Sequence, residues 1–137
     1  MLCVTVIQGQ DGWGVIYTST PICAVKGSTV EIHCSYTYPY WWKSSVTRVE
    51  RTLWFTKMNI NEPVDLTTDS EYSGRVQYSS NDKDCTLRIS DLRERDSAVY
   101  EFMFITNQEG GRYTGSHGVT LSVTAGNISI YMLIIKI

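Results

Sequence analysis

Two histidines, four cysteines and a scatter of carboxylates are the side chains here that could catalyse or hold a metal. Neither His33 nor His117 has a neighbour at metal-ligand spacing, or one placed to support a nucleophile. His33 falls on the strand face opposite Cys34, and His117 lies in a loop between Gly115 and Gly118. Cys34 and Cys85 are too far apart for the paired-cysteine pattern of zinc sites. Gly110-Gly111 reads as a hairpin turn, and no glycine motif of the phosphate-cradling kind is present. Glu94 and Asp96 belong to a loop ahead of a strand and read as structural. The expectation is a protein that acts by binding, with no catalytic residues, no metal and no cofactor.

The elements that would position a binding surface are short strands. Period-2 runs fill the middle of the chain, with no sustained 3.6-residue pattern. Thr29–Tyr36 puts Val30, Ile32 and Cys34 on one face; Cys85–Ser90 does the same with Cys85, Leu87 and Ile89. Glu50–Lys57 carries a Leu-Trp-Phe centre, and Arg75–Tyr78 follows the turn residues Ser73-Gly74. Ala98–Thr106 sets Ala98, Tyr100, Phe102 and Phe104 against Val99, Glu101, Met103 and Ile105. A turn at Gln108–Gly111 leads into a returning strand over Tyr113–Thr124. Strands at this spacing, separated by turn signals, mean a sandwich or a barrel.

Composition agrees. The 137 residues suffice for one domain, and 12 Lys+Arg against 14 Asp+Glu give a charge of −2. No basic block is present to meet a phosphate backbone, so nucleic acid is excluded as a partner. A 42% hydrophobic content argues against disorder, and nine Tyr with four Trp favour strands and recognition surfaces.

The chain divides into residues 1–10, 11–124 and 125–137. Met1–Gly9 is apolar without Lys or Arg. It reads either as the rear of a secretory signal peptide, cleaved near Gly9–Gln10, or as an N-terminal strand. The apolar run in Gly126–Ile137 falls far short of the roughly 20 residues that span a bilayer. It reads as a truncated span, a stray exon or an extra edge strand. Asn127-Ile-Ser129 fits the glycosylation pattern, and Ser129-x-Tyr131-x-x-Ile134 loosely resembles a cytoplasmic tyrosine motif. With no span between them both cannot function, and Asn127 is the favoured one.

Particular offsets choose the sandwich. Cys34 on one strand, Trp54 on the next long strand and Asp96-Ser-Ala98-Val-Tyr100 resemble the immunoglobulin order of cysteine, tryptophan and tyrosine corner. The second cysteine of that order belongs two residues after Tyr100, where this chain has Phe102. Its remaining candidate is Cys85. In the immunoglobulin strand order a Cys34–Cys85 bond lies within one sheet, leaving Phe102 to fill the inter-sheet space against Trp54. A disulfide-dependent domain implies an oxidising, extracellular setting. Cys23 is left over, either as a thiol for another domain or chain or as a small buried apolar residue.

Over roughly Asp11–Thr124 the chain resembles the N-terminal V-type domain of the siglecs, sialic-acid-binding immunoglobulin-like lectins that include B-cell receptors. The resemblance rests on the Cys34/Cys85 pair, NDKDCTLRISDL, DSAVYEF and GWGV, together with Arg75 and Asp96 at the positions of the V-type salt bridge. It implies an all-β fold: an immunoglobulin V-type antiparallel sandwich of two sheets with a within-sheet disulfide. It also implies an adhesion or immune-receptor domain on the extracellular side of the plasma membrane, or secreted, whose partners are sialylated glycans.

In that family an Arg on the sixth strand pairs with the sugar carboxylate, and aromatics on the first and last strands pack on the sugar. By position these aromatics are Trp13 and Tyr113. The Arg position is Met103, since the chain reads Tyr100-Glu-Phe102-Met103 where the family reads Tyr-x-Phe-Arg. Losing one side of such a pair costs about 2–5 kcal/mol, against about 4 kcal/mol for a millimolar sugar site. Arg112 is the candidate substitute. The family's extra cysteine, five residues before the second-strand one, is here Thr29, which leaves Cys23 for an inter-domain or inter-chain bond. The family's specificity loop corresponds to about Met58–Glu62. Two functions therefore compete: a sialoglycan lectin, or an immunoglobulin domain that binds a cell-surface protein.

Overall fold

A computed structural model describes residues 12–126. In chain order the strands are β1 (Gly14–Tyr17), β2 (Ile22–Val25), β3 (Val30–Thr37), β4 (Trp41–Trp42), β5 (Ser45–Val46), β6 (Val49–Phe55), β7 (Met58–Asn59), β8 (Glu62–Pro63), β9 (Val76–Asn81), β10 (Asp84–Ile89), β11 (Ala98–Thr106), β12 (Arg112–Thr114) and β13 (Val119–Thr124). One sheet runs β1-β3-β10-β9. The other runs β12-β11-β13-β2, with β6 against the remaining side of β11. Residues 1–10 and Asn127 lie outside the described residues, as does most of the 125–137 segment.

Alternation along each strand decides what lies between the sheets. Ile32, Cys34 and Tyr36 of β3 and Cys85, Leu87 and Ile89 of β10 face Trp54 of β6 and Tyr100, Phe102 and Phe104 of β11. All ten are buried, and at about 25 cal/mol per Å² of apolar area such burial is the main force closing the sandwich. Cys34 and Cys85 are directly opposite in the β3–β10 register and are bonded to each other. The disulfide thus lies inside one sheet. Phe102 takes the inter-sheet place of the missing cysteine, its ring 5.3 Å from Trp54 and 5.4 Å from Tyr36.

Two polar devices close the end of the sandwich before β11. The Tyr100 hydroxyl donates to the Asp96 carbonyl at 2.6 Å and lies 2.8 Å from the Tyr72 hydroxyl. Arg75 grips Asp96 with both guanidinium nitrogens, at 2.7 and 2.9 Å, with both side chains buried. Burial alone would raise the Asp96 carboxyl. Hydrogen bonds from Arg75 and the Arg93 N–H outweigh it and hold the group below its ordinary value.

The strands depart from the sequence pattern in three places. First, Ile22–Val25 forms a strand of its own, parallel to β13, so the chain leaves one sheet after Tyr17 and joins the other after Pro21. Second, the returning segment is two strands, β12 and β13. The break falls at Gly115–Gly118, where a Cβ on Gly115 would meet the Tyr17 ring at 2.8 Å and Gly118 has φ +57°. Third, β4–β5 and β7–β8 are separate hairpins whose two-residue turns, Lys43-Ser44 and Ile60-Asn61, all have positive φ. That is the geometry of type I′ turns, usually announced by Asn-Gly or Asp-Gly and here made by other residues.

Candidate functional site

The turn between β11 and β12 is built against the β4–β5 hairpin by buried amides. Gln108 donates from Nε2 to the Ser45 carbonyl and to Thr47 Oγ1, both at 3.2 Å, and its Oε1 accepts from Ser45 Oγ at 3.0 Å. Asn107 adds a bond to the Val46 carbonyl and accepts from the Arg48 N–H. The turn itself is held by Thr106, whose N–H and hydroxyl both donate to the Gly111 carbonyl. These bonds fix two otherwise unrelated loops edge to edge.

Between them opens a cleft of about 380 Å³, lined by Trp13, Trp42, Lys43, Glu109, Gly110, Arg112 and Tyr113. Phe104, fully buried, supports two of these aromatic rings from the core. Trp13 lies nearly parallel to that ring at 6.1 Å and meets Trp42 edge-on at 5.8 Å. Tyr113 packs on Phe104 at 6.1 Å. The result is an apolar, aromatic surface of the kind that receives the C–H face of a sugar ring.

Two cations stand at its rim in different states. Arg112 donates to both carboxylate oxygens of Glu62, at 2.9 and 3.2 Å, reaching across to the β7–β8 hairpin. That contact draws the Glu62 carboxyl below its usual range. The Lys43 ammonium lies 5.8 Å from the Trp42 ring centroid, and no carboxylate among the described residues pairs with it. An arriving anion therefore finds the Lys43 ammonium, with the Glu109 carboxylate lining the same cleft, while the Arg112 guanidinium is turned to Glu62.

The structure sorts the residues singled out in the sequence. Trp13 and Tyr113 share the cleft; Arg112 lines its edge, but its pairing with Ile105 in the β11–β12 register sends its side chain off the sheet on Met103's face, toward Glu62. Met103 does not join them. The resemblance implied one site containing Trp13, Tyr113 and the Met103 position, and the strand register divides it. Phe104 is the partner of Tyr113 in the β11–β12 register and Met103 that of Thr114, so Met103 and Tyr113 leave the sheet on opposite faces. Met103 is buried with Leu53 and Phe55 in a second apolar cluster.

Cys23 is exposed and free on β2, so its reading as a small buried residue fails. Arg75 and Asp96 form the ion pair described above. His33 is an exposed strand residue beside Thr86 and Glu31. His117 lines a shallow groove with Ser19, Tyr17 and Ser116. No group of three His, Cys, Asp or Glu among the described residues is arranged to hold a metal.

Trp42, Lys43 and Glu109 are cleft residues that sequence reasoning missed. The signal was the pair Trp41-Trp42 next to Lys43-Ser44, in a stretch with no strand alternation and no glycine to mark the turn.

A family model described as B-cell receptor CD22-like, first Ig-like, matches residues 24–126. The matched span includes Lys43, Met103, Arg112 and Tyr113 and begins after Trp13. Among solved structures, the fold is similar to a chimeric titin Z1Z2 functionalized with a KLER exogenous peptide from decorin, at 21% identity and TM-score 0.54, covering 82% of this chain and 95% of that one. It is likewise similar to the titin domains Z1Z2 in complex with telethonin, at 19% identity and TM-score 0.54, covering 82% and 48%. At such identities the likeness to titin is one of fold.

Proposed function

Since the chain belongs to the family of first immunoglobulin-like domains of CD22-like B-cell receptors, we propose that it is a recognition module that binds the acidic end of a sialylated glycan in the cleft between the β4–β5 hairpin and the β11–β12 turn. The coarse class follows from the family: an immunoglobulin-like domain of a siglec-type immune receptor, acting at the cell surface or outside the cell. The observation that supports the finer reading is the pairing of three aromatic side chains with the unpaired Lys43 ammonium.

In this reading Trp13, Trp42 and Tyr113 receive the apolar faces and the side chain of the sugar, and Lys43 meets its carboxylate. Lys43 offers a point charge in place of the guanidinium fork. Binding is accordingly weak, near the roughly 4 kcal/mol that corresponds to a millimolar site. Met103 takes no part.

The test is binding of the disulfide-intact protein to cells before and after sialidase, with Lys43→Gln in parallel. The expected result is sialidase-sensitive binding that Lys43→Gln removes. Sialidase-insensitive binding by both proteins overturns the lectin reading.

One observation favours a second reading, a protein partner. The two hairpins present large apolar side chains to solvent, Trp41 at 61% and Ile60 at 89% exposure, and exposed aromatics of this kind anchor protein interfaces. On that reading Trp41→Ser abolishes cell binding and sialidase does not.

A further inference from the structure

We propose that the free edge of β6 and the slot beneath it form a second binding site, distinct from the aromatic cleft. It takes an extended peptide segment of a partner protein by strand addition, with one β-branched side chain of that segment seated in the slot.

β6 ends its sheet: it pairs with β11, and no described strand lies on its other side. Side-chain hydroxyls reveal which way the backbone groups point. Phe102 turns its own away from β6, the N–H donating to the Tyr17 hydroxyl at 2.9 Å and the carbonyl accepting from Thr114 Oγ1 at 2.7 Å. Trp54, its partner in the register, turns away from β11. The Trp54 N–H donates to the Tyr78 hydroxyl at 3.2 Å, and that oxygen lies 3.1 Å from the Trp54 carbonyl. These directions alternate along a strand. Thr52, two places before Trp54 and paired with Phe104, therefore sends its N–H and C=O to the same open side. Tyr78 closes the edge at Trp54 and leaves it open at Thr52, and an open edge is a template for another strand.

Beside this edge lies a slot of about 150 Å³ between the two sheets, lined by Thr52, Trp54, Phe102, Tyr78, Ser79 and Ser80. It is too small for the ligands that fill pockets of roughly 300–1,000 Å³, and it suits one apolar side chain with hydroxyls at its rim. Residues directly opposite in a strand pair point to the same face, so the residue placed opposite Thr52 enters the slot. Main-chain bonds supply the affinity of such additions, and the pocket selects the side chain.

The occupant is a different chain and not a second copy. Glu50 and Arg51 are exposed on β6. Pairing β6 antiparallel with its own copy about Arg51 opposes two guanidiniums, which is unfavourable. Pairing it about Thr52 brings Glu50 to Trp54, where Tyr78 already holds the edge. A short peptide segment meets neither obstacle.

The experiment is NMR on the disulfide-intact protein, with the blocked peptide acetyl-Lys-Thr-Val-Thr-Lys-amide and a counterpart carrying Gly in place of Val as probes. In the free protein the Thr52 amide should exchange as an exposed group, while the Leu53 amide, in the ladder with Met103, is protected. A protected Thr52 overturns the proposal. The valine peptide should move the Thr52 amide signal, slow its exchange and give methyl contacts to the Trp54 and Phe102 rings. The glycine peptide should bind about tenfold more weakly, as expected for a buried valine side chain. Two variants locate the response: Ser80→Phe, which fills the slot, and Thr52→Pro, which removes the N–H where an edge strand tolerates proline. Both should abolish it, and Ser80→Phe decides alone if Thr52→Pro does not fold. No response at Thr52 in wild type, or one that survives Ser80→Phe, overturns the proposal.

Discussion

Met103 and Tyr113 leave one sheet from opposite faces, Tyr113 toward Phe104 and the core, Met103 toward Leu53 and Phe55. They lie on adjacent strands. A difference of one position in register decides which of two surfaces each serves, because the strand period is two. Restoring an arginine at position 103 therefore places it away from the aromatic cleft.

Met103→Arg is expected to leave glycan binding unchanged and to lower stability. The side chain is 8% exposed among apolar neighbours, so a guanidinium must snorkel out or be buried at a cost of about 1–3 kcal/mol. Urea unfolding together with sialidase-controlled cell binding checks both halves. Gain of sialidase-sensitive binding contradicts the assignment of the two faces.

Gln108 is the strut between the two walls of the cleft. Gln108→Leu removes the amide partner of the Ser45 carbonyl and the Thr47 hydroxyl and leaves the Ser45 hydroxyl only the Trp42 carbonyl, and each buried polar group left unpaired costs about 1–3 kcal/mol. The expected outcome is a protein destabilised by about 2–3 kcal/mol whose β4–β5 hairpin exchanges amide hydrogens faster than wild type. Unchanged exchange at Thr47, whose N–H bonds the Tyr40 carbonyl, argues that the hairpin stands without Gln108.

Acid should weaken the fold through Asp96. Its folded-state value lies below the ordinary one, so it contributes stability that is fully present above about pH 4 and lost as pH falls through the folded-state value. Asp65, drawn the same way by Tyr78, Thr67 and Arg51 against the opposing effect of burial, adds to the same window. Asp96→Asn should cost about 3–5 kcal/mol at pH 7, because it leaves the Arg75 charge buried and unpaired. It should also flatten the decline below pH 4. Denaturant unfolding between pH 7 and 2.5 measures both; parallel curves for the two proteins contradict the linkage.

Removing the disulfide tests its within-sheet role. Cys34 and Cys85 are 51 residues apart, and closing such a loop stabilises by about 4 kcal/mol in the chain-entropy model. Cys34→Ala/Cys85→Ala should lose most of that, while the rings of Phe102 and Trp54 keep the inter-sheet packing and its near-ultraviolet circular dichroism. Loss of that signal at temperatures where the variant is still folded means the bond also positions the core.

Tyr100 was legible from its fixed offset after Asp96, whereas the within-sheet cystine and the Arg75–Asp96 pair were legible only through the resemblance to V-type immunoglobulin domains. The buried set of β11 followed from the period of two alone: Ala98, Tyr100, Phe102 and Phe104 do face the core. The same logic failed at Gly115–Gly118, where the need to clear Tyr17 breaks a strand whose alternation runs on in the sequence. It also failed at Ile22–Val25, whose place is set by a parallel partner a hundred residues away.

The sequence by itself determined the fold class, the core and the family, since these rest on periodicity and on spacings that survive without knowledge of contacts. Only the tertiary structure decided the site. Trp13, Lys43 and Tyr113 come from three segments distant in the chain, and Glu62 meets Arg112 across 50 residues. Which side chains meet depends on strand register and hairpin placement, which are fixed by packing between elements.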